Sequence, residues 1–163
     1  MKYYRIIPFL IFIPVIILQI NIVPLLLFNG IYPDLILILL VYYTIQNNQI
    51  FGTISGFIFG GLYDLIFGTI LGSMMLTKTL SGFLSGYFSS ENKRDIYLKA
   101  LNFSLIIFLI GIIDKIIFGF FSYFELSTRL LLSLFTNSLF GSLYTSVLSF
   151  ILIIFLPNRR LIE

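Results

Sequence analysis

Four ionisable side chains, Asp64, Lys78, Asp114 and Lys115, fall inside long apolar stretches of this 163-residue sequence. A charge left alone at the centre of a bilayer costs on the order of 2.5–3.5 kcal/mol, so such residues mark a proton or ion path, a polar pocket, or a paired network that fixes helix register. Two acids at the same depth could also share a proton and hydrolyse a peptide bond. Here two bases match the two acids. A lysine beside two carboxylates favours both in the ionised form and so quenches a shared-proton dyad. Histidine, cysteine and tryptophan are absent, which removes imidazole base catalysis, thiol chemistry, disulfides and the usual zinc and haem ligands. The four charges read as a buried polar network in a non-enzymatic chain with no cofactor and no metal.

The elements that must hold these charges are membrane-spanning. The chain is 59% hydrophobic and 10% charged, with mean hydropathy +1.07, far from the roughly 25% charged residues of a soluble domain. Expected spans are 6–23, 34–47, 51–71, 73–88, 100–121 and 130–156, separated by Asn29-Gly30 with Pro33, by the polar run Gln46 to Gln49, and by Gly72, and closed by Pro157. The first, flanked by Lys2 and Arg5, reads as a retained signal-anchor helix. Six spans place both termini and the Glu91 to Lys99 loop on one side, so Lys2, Arg5, Lys93, Arg94, Lys99, Arg159 and Arg160 share the cytoplasmic face. The other face carries Glu125 and Arg129. The basic residues sit at helix ends and are not gathered on one face, which speaks against nucleic acid despite an isoelectric point near 9.2. The expected fold is thus an all-α membrane bundle of six transmembrane helices, one domain over residues 1–163, with both termini cytoplasmic.

Small residues recur every four positions. Gly52, Gly56, Gly60, Asp64, Gly68 and Gly72 lie along one face of the third span. Thr77, Ser81 and Ser85 repeat the device in the fourth, Gly111, Lys115 and Gly119 in the fifth, and Ser133, Asn137, Gly141, Thr145 and Ser149 in the sixth. In lipid, leucine gains little by touching leucine, and small residues let backbones approach; such faces serve packing within the bundle or a partner interface. So many stripes in a short chain lead to the expectation that one stays on the outside for a partner helix. Asp64 and Lys78 each lie seven residues from Leu71, about 10 Å from the turn of a helical hairpin, and are expected to pair. Asp114 is expected to join them, or Lys115 to snorkel. Pro33 and Asp34 read as a helix start, the carboxylate capping the positive end of the helix dipole. Gln19, Asn21 and Asn137 are expected to hydrogen-bond across helices.

The run from Pro33 to Gly72, a Pro-Asp-Leu helix opening, a polar break, then Gly52, Gly56, Phe57, Gly60 and Asp64 leading to a small-residue turn, followed by the segment Ser81 to Phe88, resembles the MreD family of rod shape-determining proteins. The resemblance implies a scaffold in the bacterial inner membrane, part of the cell-elongation machinery that builds lateral peptidoglycan. It implies a single-span MreC partner, proximity to RodA, to a class B penicillin-binding protein and to MreB filaments, and contact of the basic loops with anionic lipid. Self-association is compatible with the same stripes. That family is also similar in fold to the substrate-binding S components of energy-coupling-factor vitamin transporters, which supplies the rival reading; short, nearly uncharged outer loops argue against a vitamin pocket. A dyad of Asp64 and Asp114 resembling that of lipoprotein signal peptidase is the third, but the Asn-x-x-Asp-Arg and Asn-x-Ala-Asp motifs are missing.

Overall fold

The structure is a computed structural model that describes residues 7–26, 31–68, 70–122 and 128–155. The described chain is α-helical: α1 (Ile7–Asn21), α2 (Leu35–Gln46), α3 (Gln49–Phe67), α4 (Ser73–Ser85), the single turn α5 (Arg94–Tyr97), α6 (Ala100–Ser122) and α7 (Thr128–Phe155). Short 3-10 turns at Val23–Leu26, Gly86–Phe88 and Glu91–Lys93 connect them. Six of the helices fall on the six stretches expected. Glu125 lies outside the described residues, as do the side chains of Arg129 and Ser133.

Helix ends follow local chemistry. Asp34 caps α2, its Oδ1 accepting from the Leu37 N–H at 2.9 Å, and Asn48 caps α3 through the Phe51 N–H at 2.8 Å. Between them Asn47 closes α2 by donating from its side-chain amide to the Tyr43 carbonyl at 2.8 Å. Gly68 and Gly72 take positive φ (63° and 98°) at the α3–α4 corner, a backbone conformation that is strained for any residue with a Cβ.

Three helical segments are long and apolar enough to cross a bilayer: Gln49–Phe67, Ala100–Phe121 and Leu134–Phe155. The helices α1 and α2 are apolar but shorter, and α4 has 13 residues. A helix needs about 20 residues to match the hydrocarbon layer when lipid surrounds it. In α2, eight of twelve side chains are buried, so its surroundings are mostly protein and its length is not set by lipid.

Polarity runs from apolar outside to polar inside. Thr44, Ser55, Thr77, Ser81, Ser85, Ser142, Thr145 and Ser149 are buried, whereas Leu101, Leu105 and Leu109 of α6 and Leu139, Leu143, Val147 and Ile151 of α7 face outward. In water this arrangement would expose a large apolar surface while desolvating hydroxyls; in lipid it is the stable one, because the hydroxyls find carbonyls within the bundle. Thr44 donates to the Leu40 carbonyl at 2.6 Å, Thr77 to that of Ser73 at 2.6 Å and Thr145 to that of Gly141 at 2.8 Å.

Two antiparallel hairpins carry the bundle, α3 with α4 and α6 with α7, joined where α4 packs on α6. In the first, a Cβ built at Gly60 would lie 2.6 Å from the Met75 Cα, and one at Gly82 would lie 2.6 Å from the Gly52 carbonyl carbon, so the two backbones touch. In the second, the Ser104 and Ser146 hydroxyls meet at 2.8 Å and Gly111 faces Ser142. Helix α2 sits against both hairpins, with Leu37, Val41 and Ile45 packed on Phe103, Ile107 and Ile110 of α6. Helix α1 joins through Phe12, stacked on Phe59 with ring centroids 4.3 Å apart.

The expectation that a small-residue face is left for a partner meets a correction here. Gly52, Gly56 and Gly60 lie against α4, Gly111 and Gly119 against α7, and Gly141 against the Lys115 stem. Ser81 and Ser85 are buried. These positions are taken up by contacts within and between the two hairpins, Gly68 and Gly72 instead form the α3–α4 corner with nothing within 4 Å of an added Cβ, and the outward surface of α6 and α7 is large and apolar. Asn137 is exposed and Asn21 bonds to the Ile17 carbonyl of its own helix at 2.9 Å; of the three amides, Gln19 is the one that reaches across.

Candidate functional site

The candidate site grows from the α2 cap. Pro33 directs the chain into α2 and leaves Asp34 with extended backbone (φ −109°, ψ 96°), so one carboxylate oxygen turns back to the helix amides and the other points into the bundle. That second oxygen, Oδ2, lies 2.5 Å from Lys78 Nζ. Helix α4 delivers Lys78 one and a half turns below its start, and α6 delivers Asp114 opposite. Lys78 Nζ also donates to both oxygens of Asp114, at 3.0 and 2.8 Å, and the Ser81 hydroxyl completes Asp114 at 2.7 Å. Lys78 is 1% exposed, and three carboxylate oxygens around its ammonium replace the water it has lost.

The node draws in the remaining helices. The Asp34 N–H donates to the Thr145 hydroxyl of α7 at 3.1 Å. The Gln19 side chain of α1 bridges the α2 start, donating to the Pro33 carbonyl at 3.1 Å and accepting from the Leu35 N–H at 3.0 Å. The α3 backbone presses on α4 at Gly56, where a Cβ would come 2.7 Å from the Lys78 carbonyl carbon. Helices α1, α2, α4 and α7 therefore bond at Pro33 to Leu35, α6 joins them through Lys78, and α3 packs on the backbone that carries that lysine. Gln19→Leu, which strips both backbone groups of their partner, is expected to lower stability by about 1–3 kcal/mol, read as a lower melting temperature in detergent.

The four charges expected to form one network divide. Lys78 and Asp114 are together, with Asp34 as the third member. Asp64 is elsewhere: its Oδ2 accepts from the N–H of Gly72 at 2.9 Å and of Met75 at 3.1 Å, and its Oδ1 from that of Met74 at 3.2 Å. Asp64 thus caps α4 from the end of α3, a task that Gly72 at the cap position cannot perform. The expected Asp64–Lys78 pair is corrected accordingly: equal depth on a hairpin did not decide the pairing, because the bare amides at the α4 start lie closer to Asp64 and take both its oxygens. Asp64→Ala, which leaves those amides unmet, is expected to cost about 1–2 kcal/mol, with Asp64→Asn costing less; a melting curve unchanged by the alanine would refute the cap.

Lys115 reaches over Tyr32, its ammonium 5.4 Å from the ring centroid, with the stem laid against Gly141. Tyr32 is two residues from Asp34 and Lys115 adjoins Asp114, so the node and its border hold two carboxylates and two ammonium groups. Asp64 and Asp114 share no hydrogen bond, and Lys78 occupies both oxygens of Asp114, which removes the geometry of a two-acid dyad. Among the described residues no cluster of three acidic, histidine or cysteine side chains is placed to hold a metal ion.

The run from Pro33 to Gly86 thus supplies the cap, the hairpin and the central lysine. A family model described as rod shape-determining protein MreD matches residues 1–158. The chain belongs to the MreD family. No curated protein and no solved structure matches it. In this MreD-family chain, Pro33 and Asp34 start the helix on which the ion node is built, and the glycine run ends at Asp64, which caps the helix carrying Lys78. It is a membrane protein of the rod-shape family, and its polar centre is held by bonds between its own helices.

The sequence reading placed Thr145 on a packing stripe but missed its bond to the Asp34 amide, and it missed Asp34 as an ion-pair partner and Gly82 as a contact. Asp34 did carry a signal, being an acid at the edge of an apolar run. Gly82 sits one position off the Thr77, Ser81, Ser85 stripe, and only the rotation of α4 against α3 brings it to Gly52.

Proposed function

We propose that this chain is a non-enzymatic scaffold of the bacterial cell-elongation machinery, crossing the inner membrane six times with both termini in the cytoplasm. The observation that carries the reading is the family match over residues 1–158. It is supported by a polar centre whose groups bond to one another across five helices, α1, α2, α4, α6 and α7, which suits a rigid support. The partner is a single-span protein of the MreC kind. With the small-residue stripes turned inward, its helix docks on the leucine-rich outer faces and supplies small residues of its own. RodA, a class B penicillin-binding protein and MreB filaments lie nearby in the same assembly.

The basic segment Glu91 to Lys99 is the cytoplasmic contact. Tyr97 and Leu98 pack on the α2–α6 core, which fixes Lys93, Arg94 and Lys99 at one end of the bundle, where anionic lipid or a filament meets them. Depletion in the source cell tests the function: rods should widen or round, and a single-span partner with a periplasmic domain should copurify. Normal rods with a nutrient requirement, or a vitamin held stoichiometrically by the purified protein, would overturn the scaffold.

A further inference from the structure

The segment between α4 and α6 is tied down at one end of the bundle. The Leu98 N–H donates to the Arg94 carbonyl at 2.9 Å, the Asn102 side-chain amide of α6 donates to the Ile96 carbonyl at 2.8 Å, and the Tyr97 ring meets that of Phe88 edge to face, with centroids 5.4 Å apart. Yet the guanidinium at its centre is incompletely served. Arg94 Nε is buried without a hydrogen-bond partner, and among the described residues Arg94, Lys93 and Lys99 form no ion pair. We propose that Arg94, flanked in sequence by Lys93 and Lys99, holds the phosphate of an anionic phospholipid whose acyl chains lie against the leucine ridge of α6. Lipid thereby becomes the occupant of the cytoplasmic contact at Glu91 to Lys99, and the assignment rests on that reading.

The orphaned nitrogen points to an anion. A guanidinium spreads its charge over a planar fork, so an edge that has lost water without gaining a partner weakens the solvation of the whole group, and an anion on the open edge restores it. Phosphate oxygens match that fork two at a time. Arg94 is half-buried, whereas Lys93 and Lys99 are exposed. Against the acids Glu91 and Asp95, the three cations leave the segment one positive charge in excess, the sign that complements a phosphate.

Depth points to lipid as the source of that anion. The apolar helix Ala100–Phe121 has 22 residues, about 33 Å, and matches the roughly 30 Å hydrocarbon layer. Lys99 immediately precedes it and so lies at headgroup level. Leu101, 70% exposed, opens an outward ridge that continues through Leu105 and Leu109. Tyr87 and Ile96 are exposed as well, an aromatic and an apolar side chain suited to the boundary between headgroup and chain. An acidic protein surface would use the cations and leave the ridge unmet; a phospholipid joins anion and hydrocarbon at this boundary and uses both.

The chain has no tryptophan and no cysteine, so Leu101→Trp places a unique fluorophore on the ridge. The full-length variant is reconstituted in phosphatidylcholine vesicles with increasing phosphatidylglycerol brominated near the start of its acyl chains. Quenching should saturate early, with phosphatidylglycerol enriched about fivefold over its bulk fraction, whereas Leu143→Trp on the outer face of α7 should follow the bulk fraction. Adding Arg94→Gln should return Leu101→Trp to the bulk fraction, and Lys93→Gln with Lys99→Gln should lower the enrichment by about half. Leu105→Trp gives the same reading one turn deeper should Leu101→Trp fail to fold. Quenching of both ridge probes in proportion to bulk lipid, or enrichment unchanged by Arg94→Gln, would overturn the proposal. So would protection of both probes from both lipids, which would mean that a protein surface covers the segment. Both leaflets hold the same lipids, so enrichment is read whichever way the protein inserts. The side is tested apart from it: a membrane-impermeant maleimide should label Lys93→Cys in inverted membrane vesicles and not in intact cells, and labelling of intact cells would overturn the cytoplasmic reading while the enrichment still decides the lipid site.

Discussion

Lys78→Met is expected to cost about 3–5 kcal/mol, the loss typical when one partner of a buried ion pair is removed. The ammonium lies within 3.0 Å of three carboxylate oxygens. Without it, Asp34 and Asp114 face each other across an apolar gap with no positive charge between them. Both are fixed by other bonds, Asp34 by the Leu37 amide and Asp114 by Ser81, so neither can swing away cheaply. The measurement is the temperature at which half the protein leaves the monodisperse peak on size exclusion in detergent. The triple variant Lys78→Met, Asp34→Asn, Asp114→Asn should recover much of the loss, since the isolated charges disappear and the cap acceptor at position 34 remains. A single variant that melts with the unaltered protein would remove the node from any account of stability.

Gly56→Leu should be comparably damaging for a different reason. Its Cβ would meet the Lys78 carbonyl carbon at 2.7 Å and the Thr79 Cα at 3.1 Å. These are backbone atoms of a helix, which can yield only by moving the helix. Overpacking in a core ordinarily costs about 1–3 kcal/mol, and here the displaced helix carries Lys78 away from both carboxylates, so the loss should reach or exceed the top of that range. Gly61→Ala is the control: the added atom meets only the end of the Met75 side chain, at 2.8 Å, and a flexible thioether moves at little cost. Equal melting temperatures for the two variants would show that the hairpin is not closely interlocked. Because Gly56 and Lys78 act on the same helix pair, the combined variant should lose less than the sum of the single losses.

Much of the molecule was legible from residue order. Apolar length and the breaks at Pro33, Asn47–Asn48 and Gly72 located the six main helices, because helix starts and stops are governed by caps, glycine and proline acting within a few residues. The role of Asp34 as a cap follows from the same short range. The all-α membrane class follows from composition, since no aqueous fold covers this much apolar surface.

Pairing was a different matter. Depth along a helix can be counted from a turn, and that count set Asp64 opposite Lys78; the rotation of each helix about its axis, and which non-adjacent helices meet, cannot be counted. Those are decided by how close Gly52, Gly56, Gly60 and Gly82 let α3 and α4 come, and by α6 bringing Asp114 against α4. Sequence determined the helices, their caps and the need for buried charges to be neutralised. Only the tertiary structure decided that Lys78 answers Asp34 and Asp114 while Asp64 answers backbone amides, because electrostatic partners are chosen by distances of a few ångströms that arise from packing the whole bundle at once.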